Sequence, residues 1–163
     1  MLASERGKMV ISSGALLAID LGLKTGFAVY GPCGQLRSYR STRFPNHAAI
    51  KRAAWRVLCE IEDLTLVVME GDARIADVWR KVARKRGAAV VMVAPHTWRE
   101  VLLAPRERRS GVAAKRAADR IARELIAQSP APLPTGRLTS DVAEAVLIGR
   151  WAVLTGAGTE LSD

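Results

Sequence analysis

Four carboxylate side chains stand where acidic residues could act together. Asp20 directly follows the apolar run LLAI, and Glu70 directly follows LTLVVM, so each lies at the end of a predicted buried strand. Asp141 and Glu144 are three residues apart in SDVAEAVLIGRW, a spacing that places both on one face of a helix. An unpaired carboxylate beside a core is unfavourable, so these groups must be solvated, paired or bound to a cation.

A cation is the explanation that accounts for all four groups at once, because converging carboxylates otherwise repel one another. Oxygen ligands without His or Cys favour magnesium or manganese over zinc. Two such ions about 3.5–4 Å apart can activate water and stabilise the leaving oxygen of a phosphodiester. The sequence therefore predicts a site that holds two Mg²⁺ or Mn²⁺ ions through Asp20, Glu70, Asp141 and Glu144. The simpler alternatives are a turn aspartate at position 20 and helix-capping acids at 141 and 144.

The charge balance indicates the class of partner. The 163 residues include 25 Lys and Arg against 16 Asp and Glu, which gives a net charge of +9. Such an excess favours nucleic acid as the partner, then an anionic membrane surface, with a merely basic enzyme as the alternative. No apolar run approaches the roughly 18 residues of a membrane span. A basic surface around an acidic metal pocket is typical of a nuclease, in which positive charge holds the phosphate backbone.

The remaining chemistry-bearing residues suggest no competing site. Cys33 and Cys59 have neither zinc spacing nor a disulfide pattern, and we expect Cys59 to be a small core residue. His47 and His96 fall near predicted helix starts and belong to no Ser/His/Asp or Cys/His set. We therefore expect a cytoplasmic, nucleoid-associated protein, or one in the host cytoplasm if it is encoded by a phage. The length predicts a single domain over residues 14–155, with a disordered tail at 1–13 and a C-terminal tail at 156–163.

The elements that would position the carboxylates follow from the spacing of apolar residues. Apolar runs and alternation predict strands at residues 16–19, 26–30, 35–42, 64–69 and 88–94. A helical periodicity predicts helices at residues 47–63, 72–86, 95–103, 111–128 and 139–154. Strands separated by helices are expected to run parallel through right-handed crossovers. The prediction is an α/β fold with a five-stranded mixed sheet: strands 1–3 antiparallel, a central strand 4 and a buried strand 5 parallel to strand 1, and helices on both faces.

Three segments resemble the acidic motifs of RuvC-type Holliday junction resolvases, in the same order and with similar spacing. They are the hairpin AIDLGLKTGFAVY, the strand LVVMEGD and the helix SDVAEAVLIGRW, and the likeness spans about residues 16–151. The segment VAPHTWREVLL, with the basic residues after it, resembles more divergent relatives in organelles and phages. The resemblance implies an RNase H-like fold, a homodimer formed through the helix at about residues 72–86, and paired metal-dependent nicks across a four-way DNA junction. It also implies catalytic and metal-binding roles for Asp20, Glu70, Asp141 and Glu144.

Two positions depart from the family pattern. The final acid is commonly Asp, whereas this chain has Glu144, whose longer side chain can still reach a metal. The bacterial enzymes carry an aromatic residue shortly after the second acid that wedges into the junction, and residues 71–74 (GDAR) provide none. Trp79 fits the predicted core too well to be an assured substitute.

Several basic residues are candidates for contacts with DNA. Lys115 is a candidate active-site or DNA-backbone lysine, and Lys24, in the turn after Asp20, is a weaker candidate of the same kind. The arginines of the loop PRERR are better explained as phosphate contacts than as base readers, because nothing fixes them in a groove. The full predicted set is Lys24, Arg74, Lys81, Arg106, Arg108, Arg109, Lys115 and Arg116. The alternative for each of them is an ordinary solvated side chain.

The predicted function is a magnesium-dependent, structure-selective endodeoxyribonuclease that resolves four-way DNA junctions. One alternative is another RNase H-like nuclease that acts on RNA–DNA hybrids or structured RNA, and a second is a non-catalytic DNA-binding module. DLGLKTG also resembles the phosphate loop of actin-like sugar kinases and ATPases. That fold requires two domains and a second glycine-rich phosphate motif, and the 163 residues offer neither. Metal dependence would separate enzyme from binding module, and substrate preference would separate the two nucleases.

Overall fold

A five-stranded mixed sheet forms the centre of the structure, a computed structural model in which residues 13–158 are described. The strands are β1 (Ala15–Asp20), β2 (Lys24–Tyr30), β3 (Leu36–Arg43), β4 (Leu64–Glu70) and β5 (Ala89–Met92). Their order across the sheet is β3-β2-β1-β4-β5. Strands β1 to β3 pair antiparallel, whereas β4 runs parallel to β1 and β5 runs parallel to β4. This arrangement confirms the predicted α/β fold and its strand directions.

Five α-helices connect or follow the strands. They are α1 (His47–Cys59), α2 (Ala73–Lys85), α3 (Pro95–Leu102), α4 (Gly111–Ala127) and α5 (Ser140–Thr155), with a 3₁₀ turn at Pro105–Arg108. Side-chain oxygens of Asn46, Asp72 and Ser110 accept hydrogen bonds from the first-turn N–H groups of α1, α2 and α4. Helix α5 ends at Gly156, whose φ of 64° lies in the left-handed region that glycine adopts without strain.

The helices cover both faces of the sheet, and each face has its own core. Strand β1 is buried on both sides because it is a central strand: Leu16 and Ala18 pack with α3, α4 and α5, while Leu17 and Ile19 pack with α1 and α2. Trp79 of α2 is fully buried in the second core, 5.5 Å from the Phe27 ring in an edge-to-face contact. Trp79 is therefore a core residue of its own chain and is not available as a junction wedge.

Two expectations about burial were wrong. Strand β5 is an edge strand rather than a buried one, and all four of its residues retain some exposure, with Met92 39% exposed. Cys59 is exposed at the end of α1, because the buried positions of that helix are taken by residues such as Val57 and Leu58.

The predicted tails fall mainly outside the described residues: 1–12 of the first and 159–163 of the second. In residues 13–158 no helix has the length and apolar character needed to cross a membrane.

Candidate active site

Asp20 and Glu70 meet at one rim of the sheet because β1 and β4 end side by side. The two residues are direct partners in the parallel register. The backbone N–H of Leu21 donates to the Glu70 carbonyl oxygen at 2.8 Å, which extends the pairing just beyond the strands. This is the juxtaposition predicted from the two apolar strands, since the carboxyl ends of parallel neighbours lie at the same edge.

Helix α5 brings the other two carboxylates to this rim, and a glycine lets it approach. Gly26 of β2 pairs with Asp20, and a Cβ at this position would overlap the backbone carbonyl of Asp141. Further along the helix, the Tyr30 hydroxyl donates to the Val146 carbonyl oxygen at 2.6 Å, in the buried interface between β2 and α5. These contacts were not predicted from the sequence, although a glycine inside a predicted strand indicates a close backbone approach.

The pKa of Asp20 responds to each of the other three acidic groups. Burial is the largest cause that raises the pKa of Asp20, from its ordinary value of 3.8 to about 9. The next causes are the charge of Glu144 and a hydrogen bond with its side chain, followed by the charges of Glu70 and Asp141. Because two carboxyl groups can share a hydrogen bond only when one of them is protonated, this cluster requires either a proton or a cation.

Glu70 is buried and held by a neutral donor. The indole Nε1 of Trp98, from α3, donates to Glu70 Oε2 at 2.7 Å. The pKa of Glu70 is raised above its ordinary value, mainly by burial and also by the charge of Glu144. The hydrogen bond from Trp98 and the charge of Arg99 act in the opposite direction. No motif in the sequence indicated that Trp98 would reach the second acid.

Asp141 and Glu144 have polar and cationic partners. The Ser41 hydroxyl of β3 donates to Asp141 Oδ2, and Lys24 Nζ lies 3.7 Å from Asp141 Oδ1. That Oδ1 atom is buried and has no hydrogen-bond partner. On the next helical turn, Arg99 Nη2 lies 3.5 Å from Glu144 Oε1. The structure thus brings Lys24, a candidate DNA contact, close to an acid of the site, and adds Ser41 and Arg99, which were not predicted.

The donor types suit a hard divalent cation, but the carboxylates are not gathered as a ready ligand set. Within residues 13–158, no three His, Cys, Asp or Glu side chains are grouped so that they could hold a metal ion as they stand. The carboxyl pair of Asp20 and Glu144 and the buried Oδ1 of Asp141 are nevertheless the groups that a cation would satisfy. The residues fit such an ion in type and neighbourhood, and metal binding by all four acids stays a prediction.

A basic cleft of about 530 Å³ opens beside the carboxylates. Lys24, Lys115 and Arg116 line it together with Glu144, so three of the predicted DNA contacts lie next to an acidic group of the site. Two arginines that the sequence analysis did not select, Arg123 and Arg137, line the same cleft. Arg123 lies in a mixed segment inside α4, away from the acidic motifs. Arg137 stands only four residues before Asp141, and that proximity to an acidic motif is a signal that could have found it.

The other predicted DNA contacts lie further out. Arg106, Arg108 and Arg109 are exposed at the 3₁₀ turn before α4, and Arg108 lines a small cleft with Arg99. Arg74 is exposed in the first turn of α2, which begins shortly after Glu70. Lys81, two turns later, pairs with Asp77 at 3.0 Å on the exposed surface. The structure brings none of these five into contact with the carboxylates.

Comparison with known proteins adds the fold family. No family model and no curated protein matches this sequence. Among solved structures, the chain is similar to T. thermophilus RuvC in complex with Holliday junction substrate. The TM-score is 0.62 at 16% sequence identity, over 90% of this chain and 97% of that chain. At this identity the likeness establishes the fold, which is the RNase H-like fold of RuvC.

Proposed function

We propose that this protein is a metal-dependent endodeoxyribonuclease that resolves four-way DNA junctions. The observation that carries the proposal is a single juxtaposition: four acidic residues around one rim of an RNase H-like sheet, beside a cleft lined with lysine and arginine. A structural neighbour of this chain is a RuvC bound to a Holliday junction, which supports branched DNA as the substrate class.

In the proposed mechanism, the residues of the rim divide into ligands and supports. Asp20, Glu144 and the buried Oδ1 of Asp141 would hold Mg²⁺ or Mn²⁺ together with Glu70, two ions per site. When bound, these ions supply water activation and stabilisation of the leaving oxygen. The protein contributes the arrangement of its own groups: the parallel strand ends place Asp20 beside Glu70, and the close approach of α5 at Gly26 adds the acids of the last helix.

The basic cleft would hold the phosphate backbone next to these groups. Lys24 lies between the two regions, because it lines the cleft and also approaches Asp141. Lys115 and Arg116 share the cleft with Glu144, which suits a role for Lys115 at the scissile phosphate and for Arg116 at a neighbouring phosphate. The exposed arginines Arg106, Arg108 and Arg109 would extend this surface along the strand.

Paired nicks require two active sites, so the proposal includes a homodimer through the helix at about residues 72–86. The fully buried positions of α2, such as Trp79 and Ala83, already pack on the sheet of their own chain. Val78 and Val82 remain only partly buried on that helix, so they are the apolar side chains that a partner could still cover.

A second candidate, a nuclease that acts on RNA–DNA hybrid or structured RNA, is favoured by one specific observation. Opening a junction by a wedge needs an exposed aromatic side chain near the second acid. Residues 71–74 contain none, and Trp79 is fully buried. A linear hybrid needs no wedge, so the lack of an exposed aromatic at residues 71–74 favours the second candidate on this point.

The test is cleavage of a labelled four-way junction in magnesium, in parallel with linear duplex, RNA–DNA hybrid and structured RNA. Asp20→Asn protein, purified in the same way, controls for contaminating nucleases. Symmetric nicks on the junction alone, absent with the variant, are the expected result. Cleavage of the hybrid or RNA instead would move the function to the second candidate. Tight junction binding without cleavage in magnesium or manganese would show that the four acids are not a working site.

A further inference from the structure

Trp98 makes a contact that a buried tryptophan does not need for packing. Its side chain is fully buried, and its only polar atom donates to a carboxylate oxygen of Glu70 at 2.7 Å. The other fully buried tryptophan, Trp79, provides an internal comparison, because its Nε1 is buried without any hydrogen-bond partner. A buried indole N–H in this fold therefore does not automatically find a hydrogen-bond acceptor, and the bond from Trp98 to Glu70 is specific.

The backbone fixes the position from which Trp98 reaches Glu70. Strand β5 leaves the sheet beside β4, where the Val93 N–H donates to the Met69 carbonyl oxygen at 2.9 Å, one residue before Glu70. Pro95 then starts α3 directly, with its φ already suited to the first helical turn. The guanidinium carbon of Arg99 lies over the Trp98 ring, 5.2 Å from its centroid, in a cation–π contact.

We propose that Trp98 is a positioning residue that fixes the Glu70 carboxylate for metal binding through its Nε1–H donor. A hydrogen bond in a dry environment is strong and directional, so it holds Oε2 in place and leaves the second oxygen for the site. Donors that orient metal ligands in this way typically change metal affinity by about 10–100-fold when they are removed. The inference rests on the proposed function, because it takes Glu70 to be a ligand of the site.

The test measures Mn²⁺ binding directly, by the loss of the free-ion signal in electron paramagnetic resonance. Trp98→Phe removes the donor, and Trp79→Phe is the matched control, since both tryptophans are fully buried and only one has an acceptor. We expect Trp98→Phe to weaken Mn²⁺ binding by about 10–100-fold and Trp79→Phe to leave it unchanged. Equal affinity in the two variants would overturn the inference. Circular dichroism and the melting temperature establish that both variants are folded.

A second measurement, which needs neither tryptophan variant, keeps the inference testable if one of them does not fold. The four tryptophans give four indole N–H resonances in a ¹⁵N correlation spectrum. Mg²⁺ should shift the Trp98 resonance and leave that of Trp79 in place, and Asp20→Asn should abolish the shift. If the unaltered protein binds Mn²⁺ but its Trp98 resonance does not move with Mg²⁺, the positioning role of Trp98 is contradicted and the proposed function is not. Absence of Mn²⁺ binding to the unaltered protein would overturn the proposed function and this inference together.

Discussion

Two clefts of nearly equal size lie on opposite faces of the sheet, and they differ in charge rather than in volume. The cleft on the α1 face measures about 540 Å³, and its arginines are paired: Arg37 with Asp63 at 3.0 Å and Arg40 with Glu60 at 3.1 Å. The basic cleft on the α4 and α5 face measures about 530 Å³. Among residues 13–158, the basic groups of its wall at positions 115, 116 and 137 form no ion pair.

This difference indicates which cleft can bind a polyanion. A paired arginine must give up its carboxylate partner before it binds a phosphate, whereas an unpaired cation beside the carboxylate rim only displaces counterions from the nucleic-acid backbone. Cavity volume therefore does not identify the site in this molecule. The site is identified instead by the combination of unpaired positive charge with a crowded acidic rim.

The largest expected effect comes from a single carboxylate at the rim. Asp20→Asn should reduce junction cleavage by about a thousandfold or more, because loss of a metal ligand removes several kcal/mol of transition-state stabilisation. Asp63→Asn, the same change at an acid of the α1-face cleft, should leave the rate unchanged. Single-turnover cleavage in magnesium measures both variants. Equal activity of Asp20→Asn and the unaltered protein would exclude the acidic rim as the catalytic site.

The second prediction concerns DNA binding by the two clefts. Lys115→Ala combined with Arg137→Ala should weaken junction binding by roughly tenfold and reduce the log–log salt slope by about 2, one for each lost phosphate contact. Arg37→Ala combined with Arg40→Ala is the matched control, because it removes as many positive charges from the paired cleft. Fluorescence anisotropy titrations at several salt concentrations measure both. A similar loss in the two double variants would mean that net charge, rather than the basic cleft, determines binding.

The sequence predicts the strands, their directions and the meeting of Asp20 with Glu70, because apolar runs and crossover handedness determine them. It also offers Lys24 and Lys115 as candidate DNA-backbone or active-site lysines; both line the basic cleft with Glu144, and their roles stay predictions. It could not reveal the partners of the carboxylates. Ser41 and Trp98 reach Asp141 and Glu70 across 100 and 28 residues of chain, and no local pattern encodes such contacts. Burial of β5 was mispredicted because an apolar run does not distinguish a central strand from an edge strand.

The third prediction tests the glycine contact that brings α5 to the rim. Gly26→Ala should lower the free energy of unfolding by about 1–3 kcal/mol, because the added Cβ overlaps the Asp141 backbone and the helix must shift. Gly136→Ala is the control, since nothing lies within 4 Å of its Cβ position. Urea unfolding measures both changes. A neutral Gly26→Ala would show that α5 can move without cost, and the basic cleft would then have no fixed relation to the acids.

The fourth prediction concerns the pH dependence of stability in the metal-free protein. Burial and the neighbouring acids raise the pKa of Asp20 to about 9, so between pH 4 and 9 the folded state binds more protons than the unfolded chain. Stability should therefore fall as pH rises through that range, and Asp20→Asn should remove this dependence. In EDTA at pH 8 we expect the variant to melt at a higher temperature than the unaltered protein, and the two melting temperatures to converge near pH 4.

Magnesium should reverse this order of stability, because a cation stabilises the ionised carboxylates that repel one another without it. Differential scanning fluorimetry at each pH, with EDTA or with magnesium, measures the melting temperatures of the unaltered protein and the two variants. Asp63→Asn should show no such reversal, because Arg37 already holds the pKa of the Asp63 carboxyl below its ordinary value. If magnesium raises the melting temperature of Asp20→Asn as much as that of the unaltered protein, the ion binds elsewhere. The carboxylates of the acidic rim would then repel one another without binding the ion, and the rim would have no more claim to a metal site than the paired cleft.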